Sequence, residues 1–326
     1  MKVLVTGATG YFGRALVRRF LESGAMRVVL YSRSESRQAA VAESLGKFNA
    51  ARFFIGDVRD RERLEEAMWG CDTVVHAAAL KRIDAVAYNP GEVRKTNVLG
   101  SSCVAAAAIT AKVKRVLMIS SDKAAGPENA YGVSKALMEW EAIATNAISV
   151  PRGTAISCTR WGNVLGSTGS VIHLWRRQAA AGDPLTVTDP DCTRFWITLP
   201  QAVAFVLWAL EHMRGGEMFV PELPSMRLGD LAAVVAPDHP VKIVGLRPGG
   251  EKRHETLVTA EEMTRTVRLD GRFVIEPTYP SWRYESWGPH LRLPAEGVAY
   301  RSDTNVEWLT PEAMGALLTE LAEVVL

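Results

Sequence analysis

Apolar runs recur through the first half of the chain: Lys2 to Thr6, Arg27 to Tyr31, Arg52 to Ile55, Thr73 to His76, Arg115 to Ile119 and Thr154 to Arg160. Short runs of this kind predict buried strands. Longer stretches between them predict helices: one capped by Asp60 and running to Trp69, one from about Glu92 to Thr110, and one from Tyr131 to about Asn146. Strand and helix alternating at short spacing predict an α/β fold with a doubly wound parallel sheet. Beyond the sixth strand the alternation fades, and Gly, Pro and Trp become frequent. Residues 1–162 therefore read as the sheet domain, joined by returning segments from the C-terminal half, and 163–326 mostly as a smaller substrate-binding lobe. Thr310-Pro311-Glu312, an N-cap followed by Pro at the first helical position, opens a last amphipathic helix to Val325.

The first strand leads directly into Gly7-Ala-Thr-Gly10-Tyr-Phe-Gly13. Strand, glycine loop and helix in that order make the glycines informative, since the loop can turn tightly and present helix N–H groups to a pyrophosphate. The expected cofactor loop is Thr6, Gly7, Thr9, Gly10, Tyr11, Phe12 and Gly13, on a Rossmann-type sheet. The second strand ends in Tyr31-Ser32-Arg33, with Arg37 one turn later, where an NAD site would carry a carboxylate for the ribose hydroxyls. Ser32, Arg33 and Arg37 would welcome a ribose phosphate, so NADP is the expected cofactor. Asp57, beside Val58, is placed to accept from the adenine amino group. Ala77, Ala78 and Ala79 would let the cofactor backbone pass close by, and Asn97 is expected to prop its helix, or a water, against the catalytic pair. Lys81-Arg82 lies where a diphosphate-bearing substrate could reach.

Composition narrows the function classes. The 326 residues are 48% hydrophobic, enough for a sizeable core, and the formal net charge is only +2, which gives no electrostatic support for nucleic-acid or membrane-surface binding. Cys71, Cys103, Cys158 and Cys192 are widely spaced and read as reduced thiols of a cytoplasmic protein. The histidines show no metal-ligand spacing, and no metal site is expected. Met1 leads straight into a strand and no run is long enough to span a bilayer, so neither a signal peptide nor a membrane segment is expected.

Candidate chemistry concentrates in Ser120 to Lys135, SSDKAAGPENAYGVSK. Tyr131 and Lys135, at i and i+4, share one helix face. A Lys135 ammonium near the Tyr131 hydroxyl is expected to lower the tyrosine pKa from about 10. The tyrosine would then take a proton from a substrate alcohol as hydride leaves the same carbon, with Ser121 bonding that alcohol. Asp122 and Lys123 are not needed for simple alcohol oxidation and point to a second step at the neighbouring atoms.

The motifs TGATGYFG, YSR, GDVRDRERL, HAAALKRID, NPGEVRKTNVLGS, SSDKA, YGVSK, RWGNVLGSTGSVI, TDPDCTRFWI and the RPG-EK-HE region from Arg247 run through nearly the whole chain. On these the chain resembles the extended short-chain dehydrogenase/reductases, and within them the C5-inverting UDP-N-acetylglucosamine 4,6-dehydratases. SSDKA, ALKRID and TRFWI carry the subgroup resemblance. It implies tightly bound NADP recycled within each turnover, and a UDP sugar held by Lys81, Asn163, Thr188, Arg194, Arg247 and Glu251. It further implies that Tyr131 oxidises C4, Lys123 removes the C5 proton, Asp122 helps the C6 hydroxyl leave, and hydride returns to C6. Lys123 is then expected to be partly neutral near pH 7, its pKa lowered by burial and nearby cations. Relatives that retain C5 configuration carry an Asp-Glu pair where this chain has Asp122-Lys123. A homo-oligomer, dimer or higher, is also implied. The chain departs from the subgroup at Trp161, where tyrosine is usual, and in one extra glycine at Gly249-Gly250. Two other readings are a nucleotide-sugar 4-epimerase, which needs only Ser121, Tyr131 and Lys135, and a non-catalytic NADP-sensing protein on the same fold.

Overall fold

The computed structural model describes residues 1–46, 48–278, 284–288 and 298–324. Strands β1 (Lys2–Thr6), β2 (Arg27–Ser32), β3 (Ala51–Ile55), β4 (Thr73–His76), β5 (Arg115–Ile119) and β6 (Ala155–Thr159) pair in parallel. The second half adds β7 (Asn163–Val164), β8 (Leu185–Val187), β9 (Thr193–Ile197), β10 (Met218–Pro221), β11 (Ser225–Arg227), β12 (Val241–Ile243), β13 (Thr256–Val258), β14 (Thr266–Leu269), β15 (Arg272–Ile275) and β16 (Tyr300–Arg301). Among the described residues the main sheet has the order β14-β15-β10-β6-β5-β4-β1-β2-β3. Strand β10 joins β6 in parallel, and β15 and β14 close that edge antiparallel. The small sheets β11-β9-β7, β12-β8 and β13-β16 belong to the C-terminal lobe.

Every residue of β4 is buried, as expected of an interior strand covered by helices on both faces. The first-half helices are α1 (Tyr11–Glu22), α2 (Glu35–Leu45), α3 (Arg61–Met68), α4 (Ile83–Tyr88), α5 (Pro90–Val93), α6 (Gly100–Thr110) and α7 (Ala130–Ser149). The second half carries α8 (Val171–Ala181), α9 (Leu199–His212), α10 (Leu228–Val235), α11 (Ala260–Met263) and α12 (Pro311–Val324). Asp60 caps α3 by accepting from Arg63 N at 3.0 Å, and Thr310 caps α12 through Ala313 N at 3.2 Å. The expected end of α12 at Val325 lies outside the described residues. A second apolar cluster fills the lobe, built on Trp175, Ile172, Leu185, Trp196, Met226 and Met314.

The expected single helix from Glu92 to Thr110 is a correction. It is α5 and α6 joined by a π-helical turn, Arg94–Leu99. The wider turn carries Asn97, whose Oδ1 accepts from Leu80 N at 2.8 Å while Nδ2 donates to Leu80 O at 2.9 Å and to Ser134 Oγ at 3.0 Å. An amide thus clamps the loop after β4 to the helix that carries Tyr131 and Lys135. Apolar periodicity does not register such a turn, because the burial pattern continues through it.

The chain winds from β1 out to β3, then returns to the other side of β1 with β4, β5 and β6. The reversal lies between β1 and β4, and at such a point the strand ends diverge to leave a crevice. Small residues line it. Gly7 has φ +67°, and a Cβ there would stand 2.9 Å from the Ala77 carbonyl carbon.

Candidate active site

The crevice fits a dinucleotide. A Cβ at Gly13 would lie 2.3 Å from Gly7 O, so only glycine lets α1 start this close to the end of β1. Gly10 is the N-cap of α1 and supplies no capping side chain, and the first turn carries no acidic residue. The leading N–H groups therefore remain available to an anion. Thr6 Oγ1 accepts from Ala77 N at 3.2 Å and Ala78 N at 3.3 Å, which leaves its own proton for His76 Nδ1 at 2.7 Å. His76 Nε2–H then donates to Ser101 Oγ at 2.9 Å, and Ser101 donates to Asn97 O at 2.7 Å. Burial, with the charge of Lys135 adding, brings the His76 imidazole down to about 3, so this link between the glycine loop and the π-turn is neutral.

At the end of β2, Arg33 and Arg37 are exposed and Ser32 Oγ accepts from Gln38 Nε2 at 3.0 Å. Tyr31 is fully buried and donates to Asp57 O at 2.8 Å. The Asp57 carboxylate accepts from Arg59 N and Nε, each at 3.0 Å, and from Arg59 Nη2 at 2.7 Å, with Arg33 at 3.8 Å. Val58 is buried beneath it.

Strand β5 delivers Ser120, and a short 3-10 turn, Asp122–Ala124, follows. Ser121 caps that turn through Lys123 N at 3.3 Å and donates to Asp122 Oδ1 at 2.7 Å. The Lys123 ammonium lies between two carboxylates, 2.8 Å from Asp122 Oδ2 and 2.9 Å from Glu255 Oε1. Burial alone would push it down, but Asp122 and Glu255 together hold its pKa above the ordinary lysine value. The expected lowering of Lys123 is therefore corrected: partner charges outweigh desolvation here, and Lys123 is a cation in this arrangement.

The Tyr131–Lys135 pair also differs from expectation. Burial pushes the Tyr131 phenol up to about 12, offset only in part by its hydrogen bond with Ser121, and the charge of Asp122 adds to the rise. Lys135 Nζ donates to Ile119 O at 2.7 Å, and burial brings it down to about 8 against the pull of Glu139. The lysine, more than the tyrosine, is shifted toward neutral pH.

Behind the pair runs a buried ion network. Glu139, on the Tyr131–Lys135 helix, bonds Arg160 Nη2 at 2.6 Å and Ser120 Oγ. Arg160 also bonds Glu262 of α11 at 2.9 Å and Leu257 O at 2.8 Å. Trp161 O accepts from Asp122 N at 3.0 Å, while its ring packs 5.3 Å from Phe12 and 6.1 Å from Phe205. At this position the indole is core packing that links the Asp122–Ala124 turn to the glycine-loop helix.

The lobe closes over the same turn. Arg194 Nη2 lies 3.0 Å from Glu251 Oε1, and Arg247 forks the same carboxylate at 3.0 and 3.1 Å. Burial would raise Glu251, but Arg247 and Arg194 bring it below its ordinary range. Lys252 Nζ donates to Asp122 O at 3.1 Å and to Ala125 O. The extra glycine has a reason: Gly250 has φ +91°, a Cβ there would meet Glu128 O at 2.2 Å, and its carbonyl accepts from Asn129 Nδ2 at 2.8 Å. Asn129 in turn caps α7 through Gly132 N at 2.9 Å. Asn163 Nδ2 reaches Phe195 O at 3.4 Å, the Thr188 hydroxyl oxygen is enclosed with no partner among the described residues, and Lys81 is exposed and forms no ion pair there.

The model of the polysaccharide biosynthesis protein family matches residues 3–277. The chain belongs to this family. It is of the extended short-chain dehydrogenase/reductase type, consistent with the sheet and lobe described above. A relative from Campylobacter jejuni, a UDP-N-acetylglucosamine 4,6-dehydratase (inverting), is 38% identical over 320 residues, 96% of this chain and 95% of its own. A UDP-glucose 4-epimerase from Rickettsia prowazekii is 40% identical over 281 residues, 84% of this chain and 82% of its own. The crystal structure of Pen from Bacillus thuringiensis superposes with a TM-score of 0.88 at 33% identity, covering 98% of both chains. The family thus joins dehydratases and epimerases, and the residues that separate those reactions decide between them.

Ser121, Asp122, Lys123 and Tyr131 come together around one turn, with Lys135 behind it and Arg194, Arg247 and Glu251 grouped at its lobe side. The sequence reading missed Glu255, Lys252, Glu139, Arg160 and His76. Glu255 and Lys252 lie in the charged run from Arg247, but charge alone does not say which side chains turn inward.

Proposed function

We propose that this protein is an NADP-dependent UDP-N-acetylglucosamine 4,6-dehydratase that inverts C5. The observation that carries the reading is the ammonium of Lys123, almost enclosed with Asp122 beside Ser121 and Tyr131. Exchange at C4 alone has no use for a second buried acid–base pair. Thr6, Gly7, Thr9, Gly10, Tyr11, Phe12, Gly13 and Ala77–Ala79 would hold the dinucleotide, with Val58 and Asp57 near the adenine and Ser32, Arg33 and Arg37 toward the ribose phosphate. A nicotinamide held there would supply the hydride acceptor for sugar C4 and the donor for C6.

The chain's own groups handle the protons. The Tyr131 phenolate, steadied by Lys135, takes the proton of the 4-hydroxyl, which Ser121 orients, and becomes the phenol. With C4 a ketone, the C5 proton is acidic enough for an amine to remove. Lys123 takes it once its ammonium has given up a proton, and Asp122, whose Oδ2 shares that ammonium, relays a proton to the departing C6 hydroxyl. Arg194 and Arg247, organised by Glu251, would supply charge for the diphosphate, and Lys81, Asn163 and Thr188 are assigned to the same substrate. A homo-oligomer and a division near residue 162 complete the proposal. Among the described residues no helix is long and apolar enough to cross a membrane. Incubation with NADP and UDP-GlcNAc tests the reading: a product lighter by one water supports it.

The second reading is a 4-epimerase, favoured by the Rickettsia relative at 40% identity. It requires a product of unchanged mass, with Lys123→Ala largely active.

A further inference from the structure

We infer that Glu255 is the positioning residue that takes the ammonium proton of Lys123, freeing the amine to act as a base. This rests on the dehydratase reading above. Lys123 faces Asp122 on its own turn, Glu255 from the segment before β13, Lys252 from the same segment and Arg194 from β9. The two carboxylates around it are not equivalent. Asp122 is satisfied, with Ser121 donating to Oδ1 at 2.7 Å and Lys123 to Oδ2 at 2.8 Å. Glu255 is 2% exposed, and its Oε1 meets Lys123 at 2.9 Å and Arg194 only at 3.7 Å. Its Oε2 is buried with no hydrogen-bond partner among the described residues. Lys252 Nζ, 3.9 Å from that oxygen, is committed to the carbonyls of Asp122 and Ala125.

A buried anionic oxygen without a donor is costly, and a proton on that carboxyl removes the cost. In the step, an Nζ–H bond of Lys123 breaks and an O–H bond of Glu255 forms. A charged pair becomes a neutral amine and a neutral acid, with no other reactant. When the amine takes the C5 proton, the pair carries two protons. The C6 hydroxyl leaves as water with one of them, by way of Asp122, whose Oδ2 shares the same ammonium, and the starting ion pair returns.

The test compares wild type, E255Q and E255D in UDP-GlcNAc dehydration between about pH 6 and pH 10. The glutamine oxygen still accepts a bond from the ammonium but cannot take its proton. The expected result for E255Q is a fall in kcat on the order of 10²-fold with KM changed by less than about twofold. Its rate should climb with pH where wild type is flat, and E255D should restore the flat profile. A residue that only holds Lys123 in place predicts wild-type kcat and profile in E255Q, and that result overturns the inference. Should E255Q fail to bind NADP as wild type does, E255D decides: a wild-type profile supports the inference and an alkaline shift overturns it. A wild-type enzyme that forms no dehydrated product overturns both readings, which separates that failure from one confined to Glu255.

Discussion

Replacing Arg160 by methionine exposes how strongly the site depends on the charges behind it. Arg160 is 3% exposed, bonds both oxygens of Glu139, itself 2% exposed, and reaches Glu262 with a second pair of contacts at 2.9 and 3.0 Å. A methionine of similar length fills the space but leaves two carboxylates facing one another and the Leu257 carbonyl without its donor. Breaking a buried pair from one side typically costs about 3–5 kcal/mol, because the stranded charge cannot return to water. Against a stability of roughly 5–15 kcal/mol this is a severe loss. Urea unfolding followed by tryptophan fluorescence should show a lower midpoint at unchanged m. Adding E139Q and E262Q to R160M should recover much of the loss, since a neutral site has nothing left to strand. Glu139 also pulls on Lys135, so freeing it from Arg160 should move the Lys135 pKa up from about 8. A loss below about 1 kcal/mol for R160M at unchanged m would refute the claim that this network is buried and paired.

Other consequences can be measured alongside it. His76 stays neutral in the fold down to about 3, whereas an unfolded histidine takes a proton below about 6.5, so the unfolded state binds more protons in that window and stability falls as pH falls through it. The term amounts to at most about 4–5 kcal/mol between pH 6.5 and 3, and the difference in acid stability between wild type and H76Q reports it. Gly250→Ala forces a side chain at φ +91° against Glu128 O and should cost at least about 1–2 kcal/mol in urea unfolding while lowering kcat/KM by loosening Asn129. Arg33→Ala with Arg37→Ala should weaken NADP binding by about tenfold or more and leave NAD binding nearly unchanged, read by cofactor titration.

The parallel core was legible because its inner strands, such as β1 and β4, are buried and written as short apolar runs, and because Gly7, Gly10 and Gly13 sit where one of them ends. The caps at Asp60 and Thr310 were legible for the same local reason. The π-turn at Arg94–Leu99 was not, since its apolar pattern matches that of an ordinary helix. The ionisation of the site was also hidden. Tyr131 could be named from its spacing to Lys135 and Lys123 from its place beside Ser121, but the charge of Lys123 depends on Asp122 and on Glu255, which is 132 positions from Lys123 in the chain and beside it in space. Sequence proximity suggested that Lys135 would set the charge around Tyr131, whereas burial governs both groups.

The central claim is that Lys123 removes the C5 proton, and deuterium at C5 reads it most directly. With UDP-GlcNAc and NADP in heavy water, wild type should give a 4-keto-6-deoxy product carrying solvent deuterium at C5, and K123A should leave C5 unlabelled. Deuterium entering C5 at the wild-type rate in K123A would contradict the account.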